Sequence, residues 1–181
     1  MNETITAQLV GLAGQASDLP TIQGAGVYGI FLREGSSLAE ITPGDGGVLY
    51  IGMTDQGLDA RNHFHHAHSG FSTLRRSLGA ILKPVLNLTA RPRSSGTSKT
   101  NVRNYRFSDE GEHALTSWMH AHLKVGQVAL DGDVRAYEAY LISALEPPLN
   151  LTGWNNPQRA WIKRLRAACV EEAEQNRPPR L

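Results

Sequence analysis

Residues 59–68, DARNHFHHAH, place four histidines within six positions: His63, His65, His66 and His68. Imidazole is the commonest protein ligand for metals near neutral pH, so a metal centre is the first chemistry to test. Wound as a helix, the stretch puts His65 about 40° from Arg61 and His68 about 20° from it on the other side. His63 and His66 fall on the opposite side and read as a solvated face. Four imidazoles on opposed faces cannot share one tetrahedral ion, so zinc is not expected. Arg61, His65 and His68 remain together as a basic edge suited to anions.

A second residue with chemical promise is Glu138. Its helical neighbours at i−4, i+3 and i+4 are Val134, Leu141 and Ile142, so its carboxylate projects from an inward-packing stripe. An ionised acid in that position costs several kcal/mol unless a cation, a metal or dense hydrogen bonding offsets it. A structural ion pair and a functional carboxylate fit this placement equally well. Tyr28 and Tyr50 form a third group, each in the middle of a short apolar run beside glycines (Gly26 and Gly29; Gly52). Glycine inside a strand marks a bulge or a close approach, and a buried phenol needs a polar partner. Taken singly, each tyrosine reads as core packing before catalysis.

The elements that position these residues follow from pattern. Ile5, Leu9 and Leu12 have helical spacing within 4–13, and Asp18-Leu19-Pro20 breaks that helix. The runs 26–32 (GVYGIFL) and 48–53 (VLYIGM) read as strands covered on both faces, joined by a long decorated hairpin. Helices are predicted over about 57–68, and from Ser72 as N-cap to a stop before Pro84. Residues 91–103 read as a flexible basic loop, followed by a short strand near 104–107. Asp109 and Glu112 suggest a capping box opening a helix through Leu123. A strand at 125–130, a helix at 134–145 and a final helix opened by Asn156-Pro157 complete the chain. Short strands among many helices, without a βαβ rhythm, indicate an α+β fold.

At 181 residues, 40% of them hydrophobic, the chain suits one well-packed domain. Its longest apolar runs are too short to span a membrane, and no secretory signal pattern opens it. Cys169 is the only cysteine, which excludes an intrachain disulfide and leads to a cytoplasmic expectation. The net charge of +1 conceals a strong asymmetry. From Ala60 to Ser108 there are nine basic residues (Arg61, Arg75, Arg76, Lys83, Arg91, Arg93, Lys99, Arg103 and Arg106) and no Asp or Glu. Such a block sets up a positive field suited to a phosphate backbone, with a solvated basic loop as the plain alternative.

Together these residues resemble the GIY-YIG nuclease superfamily, nearest in motif pattern to its restriction and homing endonucleases. The name-giving motifs stand as Gly26-Val27-Tyr28 and Tyr50-Ile51-Gly52. They are followed in order by Arg61, His65 one turn on, Glu138 on a later helix, and Asn150 in Pro147-Pro148-Leu149-Asn150. Val27 replaces the usual isoleucine, and Ser36–Gly47 is an insertion between the motifs. The resemblance implies a small, central, mostly antiparallel sheet flanked by helices. It covers 24–151, after an N-terminal extension (1–23) and before an extra C-terminal helix and tail (152–181) packed on the same domain.

It further implies phosphodiester hydrolysis with one divalent ion, Mg²⁺ or Mn²⁺, held by Glu138. In this scheme Arg61 stabilises the transition state, Tyr28 acts as general base, and His65 bonds Tyr28 or orients the water. Tyr50 positions phosphate or water, and Asn150 anchors the wall of the site. The basic block becomes a path for double-stranded DNA. Arg75 and Arg76 would grip the backbone beside the cut, and Arg91, Arg93, Lys99 and Arg103 form a loop that orders on DNA. A restriction or phage-defence role follows, with two copies acting together on a palindromic site. The alternatives are a single-stranded DNA or RNA nuclease and a nucleic-acid-binding module without hydrolysis.

Overall fold

The computed structural model describes the whole chain except residues 1, 20–21, 56, 58–63, 65–67, 97 and 178–181. Its elements are α1 (Asn2–Gly11), β1 (Gly26–Leu32), β2 (Val48–Thr54), α2 (Thr73–Leu86), β3 (Ala90–Arg91), α3 (Lys99–Arg103), β4 (Arg106–Phe107), α4 (Asp109–His122), β5 (Leu123–Ala129), α5 (Val134–Leu145) and α6 (Arg159–Gln175). This is an α+β fold built on a small antiparallel sheet with helices around it. The chain divides into two compact units, one of Met1–Asn62 with His120–Arg159, the other of His63–Met119 with Ala160–Leu181. Among the described residues no helix is long and apolar enough to cross a membrane.

In the first unit the three-stranded sheet runs β2-β1-β5, antiparallel throughout. The central strand is buried on both faces, as its unbroken apolar run requires. One face carries Val27, Phe31 and Ile51, which form a core with Ile5 and Leu9 of α1 and Val134, Leu141, Ile142 and Leu145 of α5. The paired glycines Gly29 and Gly126 lie on this face. A Cβ on Gly126 would fall 2.1 Å from the Leu9 carbonyl oxygen, and one on Gly29 would strike the Phe31 ring at 2.6 Å. The close approach at these glycines is therefore made by the protein's own helix and ring.

The second unit packs α2, α4 and α6 with the β3-β4 ribbon and the short α3. Gly79 of α2 lies against the Phe107 ring, and Tyr105 meets Phe107 edge-on at 5.6 Å between centroids. The backbone of Ala90 is taken at both ends by α6 and the residue that follows it: its N–H donates to Glu172 at 3.0 Å, and its carbonyl accepts from Asn176 at 3.0 Å.

Three expectations need correction here. Helix α2 begins after Ser72, whose hydroxyl accepts from the Arg75 N–H at 3.1 Å, but it does not stop before Pro84. A proline in the last turn removes one hydrogen bond, and the helix ends at Asn87 in the left-handed region (φ 51°). The 91–103 segment, read as a flexible loop, holds the last residue of β3 and the helix α3. Its turn is tied by Asn101, whose Nδ2 donates to the Gly96 carbonyl and whose own carbonyl accepts from the Arg93 N–H at 2.8 Å. Finally, Glu112 does not close a capping box. Ser108 caps α4 by accepting from the Gly111 N–H, and Glu112 turns inward.

Candidate active site

Cross-strand register places Tyr28 opposite Gly52 on one side and Gln127 on the other, with Tyr50 opposite Ile30. Directly paired residues share a face, so Tyr28, Tyr50 and Gln127 lie on the side away from the α1/α5 core. The two phenol rings are 6.2 Å apart between centroids, inclined at 36°. Tyr28 is buried and Tyr50 is half-buried. A Cβ at Gly52 would stand 2.4 Å from both Cζ and the hydroxyl oxygen of Tyr28. The glycine of the second motif thus lets the tyrosine of the first lie flat across the strand.

Asn150 meets the outer edge of β2 as a short extra strand would. Its Oδ1 accepts from the Ile51 N–H at 2.8 Å, and its Nδ2 donates to the Ile51 carbonyl at 2.8 Å. Both edge groups of the residue between Tyr50 and Gly52 are therefore satisfied by one amide. The neighbouring Leu149 N–H donates to Leu49. The Asn150 carbonyl accepts in turn from Trp154 Nε1 at 3.1 Å and Asn156 Nδ2 at 2.9 Å. The Oδ1 of Asn156 caps the Gln158 N–H, so this residue is both cap and clamp. In this geometry Asn150 positions the strand that carries Tyr50.

Glu138 lies on α5, half-buried, among the buried Val134, Leu141 and Ile142 of the stripe expected for it. Arg61 and His65 lie outside the described residues, as do His63 and His66. The unit thus brings Tyr28 and Tyr50 together directly, and fixes Tyr50 through Asn150.

Sequence reasoning missed Gln127. It is buried beside Tyr28, and its Oε1 has no hydrogen-bond partner among the described residues. A polar side chain inside the apolar run Val125-Gly126-Gln127-Val128 is the signal that could have found it. The clamp of Trp154 and Asn156 behind Asn150 was also missed, because two isolated side chains leave no periodic trace.

In the second unit, two of the expected DNA contacts are overturned. Arg75 is fully buried, and its Nη2 donates to Glu112 Oε2 at 2.7 Å and to Thr116 Oγ1 at 2.9 Å. Glu112 is a hub, accepting also from Ser69 N–H (2.8 Å), Ser69 Oγ (2.9 Å) and Phe107 N–H (2.9 Å). Arg76 is 7% exposed and donates through Nη1 to the Ser69 and Gly70 carbonyls. Burial lowers its pKa to about 10, with Arg166 adding to the effect, so it stays charged at neutral pH. Both guanidiniums brace the turn before α2 and cannot grip a phosphate backbone. Arg91, Lys99 and Arg103 are exposed and Arg93 is half-buried, which keeps these four cations at the surface of the unit.

No cluster of three or more His, Cys, Asp or Glu side chains able to hold a metal occurs among the described residues. A single half-buried carboxylate such as Glu138 fits a hard ion that keeps several waters, as Mg²⁺ does, better than one needing a full protein cage.

The first unit is thus an antiparallel sheet carrying two adjacent tyrosines and braced by an asparagine at its edge. The GIY-YIG catalytic domain model matches residues 26–168, most of the chain, and the chain belongs to that family. It is accordingly a nuclease, a hydrolase of phosphodiester bonds acting on nucleic acid. No curated protein and no solved structure gives a match.

Proposed function

We propose that this nuclease is a divalent-metal-dependent endonuclease that cuts double-stranded DNA, of the restriction or phage-defence type. The observation that carries the reading is the Tyr28–Tyr50 pair laid across Gly52, together with the half-buried carboxylate of Glu138 on α5. Glu138 would hold the ion, Mg²⁺ or Mn²⁺. When bound, such an ion supplies Lewis-acid stabilisation of charge on the phosphate and leaving oxygen.

The remaining chemistry belongs to the side chains. A free phenol titrates near pH 10, so Tyr28 needs a nearby cation or proton acceptor to take a proton from the attacking water. Arg61 and His65 are the residues in the chain suited to that task, Arg61 also offering a planar fork to the transition-state oxygens. The water oxygen bonds to phosphorus, the scissile P–O bond breaks, and the departing oxygen takes up a proton. Tyr50 is held beside this chemistry by the Asn150 bracket on Ile51 and would orient phosphate or water. The surface cations of the acid-free block, Arg91, Arg93, Lys99 and Arg103, support a polyanionic duplex as substrate.

Strandedness is tested by incubating the protein in Mg²⁺ with matched duplex DNA, single-stranded DNA and RNA. The proposal expects the duplex to be cut fastest. Exclusive cutting of a single strand or of RNA would overturn it. Recurrent palindromic ends on a long DNA would fit two copies acting together, and scattered nicks would remove the restriction role.

A further inference from the structure

Among the described residues Leu12, Phe71 and Val85 are exposed large apolar side chains, and Phe71, at 65% exposure, carries a guanidinium over its ring. The Arg93 guanidinium carbon lies 5.1 Å from the Phe71 ring centroid. The His68 imidazole lies 4.9 Å away between centroids, tilted by 33°. Both partners are held in place rather than loosely draped. A Cβ at Gly70 would fall 2.5 Å from Arg93 Cγ and 3.0 Å from His68 Nδ1, so the Ser69–Phe71 turn accommodates both because residue 70 is glycine.

His68 Nδ1 accepts from the Gly70 N–H at 3.2 Å, which fixes the neutral tautomer with its proton on Nε2. Burial lowers its pKa from 6.5; Glu112 opposes this, and Arg106, Arg93 and Arg75 add to the lowering. The ring is therefore a neutral aromatic at physiological pH. The Arg93 backbone is pinned in turn by its N–H to the Asn101 carbonyl. Arg91, Lys99 and Arg103 in the same segment are exposed.

A rigid π-surface among cations has the chemistry of nucleobase stacking, in which ring contact adds to backbone attraction. We propose that His68, Phe71 and Arg93 form a stacking platform for an unpaired nucleobase, with the surrounding cations taking the adjoining phosphates. The inference rests on the nucleic-acid reading of the basic block given above. The base could come from a single strand or be turned out of a duplex, and both present the same face to the ring.

The test uses the full chain with EDTA present, so that cleavage is suppressed, and oligonucleotides carrying 2-aminopurine. Three probes are compared: a single strand, a duplex with the 2-aminopurine bulged, and a fully paired duplex. Binding should quench the probe in the single strand and in the bulge. Phe71→Ala should abolish that quench and weaken binding by roughly 5- to 100-fold, whereas Phe71→Trp should retain both. A fluorescence change on the paired duplex as well would identify a base turned out of the helix; a change confined to the single strand and bulge would identify bases already unpaired. Salt-sensitive binding by wild type and Phe71→Ala alike, with the same quench, would overturn the platform and leave the nucleic-acid reading intact. Absence of binding to every probe would overturn both. Because Phe71 is exposed, its variants should keep the wild-type circular dichroism.

Discussion

Replacing Asn150 by alanine should destabilise the first unit strongly, because its amide closes the edge of β2 with two 2.8 Å hydrogen bonds to one residue. Each bond contributes about 0.5–1.5 kcal/mol net, and a buried group left unsatisfied costs about 1–3 kcal/mol. Ile51 is fully buried, so water does not readily replace the lost amide. The expected loss is about 3 kcal/mol, or about 6–12 °C in Tm for a chain of this length. Equilibrium urea denaturation measures it directly. Asn150→Asp should not rescue, since it keeps an acceptor for the Ile51 N–H but sets a carboxylate against the Ile51 carbonyl. Unchanged stability in Asn150→Ala alongside lost activity would refute the bracket and assign Asn150 to the chemistry itself.

Three other perturbations have clear expectations. Gly52→Ala places a Cβ 2.4 Å from the Tyr28 hydroxyl, and should lower kcat by at least tenfold in a plasmid-nicking assay while most of the fold survives by circular dichroism. Glu112→Ala removes the carboxylate that meets the fully buried Arg75 guanidinium, and should cost about 3–5 kcal/mol by urea titration. Cys169 is buried and its thiol pKa is raised above 9.0 by desolvation. It should therefore resist Ellman's reagent at pH 8 in the native protein and react promptly in urea.

Much of the first unit is legible in the residues themselves. The apolar runs around Tyr28 and Tyr50 become β1 and β2, and Val134–Leu145 forms α5 with Glu138 in its inward stripe. What periodicity cannot convey is the direction in which a side chain spends its hydrogen bonds. Glu112 stands in a cap-like pattern, yet three of its four bonds come from Ser69 and Arg75, far back in the sequence, and the fourth from Phe107 just before the helix. Arg75 and Arg76 look like any basic pair in a basic block, and only long-range burial shows that they brace a turn. Likewise the Asn101 tie within 91–103 is local side-chain chemistry that composition alone reads as flexibility.

On the proposed reading, phosphodiester cleavage depends on a divalent ion held by Glu138. Supercoiled plasmid incubated with the wild-type chain in Mg²⁺ should be nicked or linearised, and EDTA should stop the reaction. Glu138→Ala, folded by circular dichroism, should cut at least a hundredfold more slowly at any Mg²⁺ concentration. Cleavage by Glu138→Ala at the wild-type rate, or undiminished cleavage in EDTA, would contradict it.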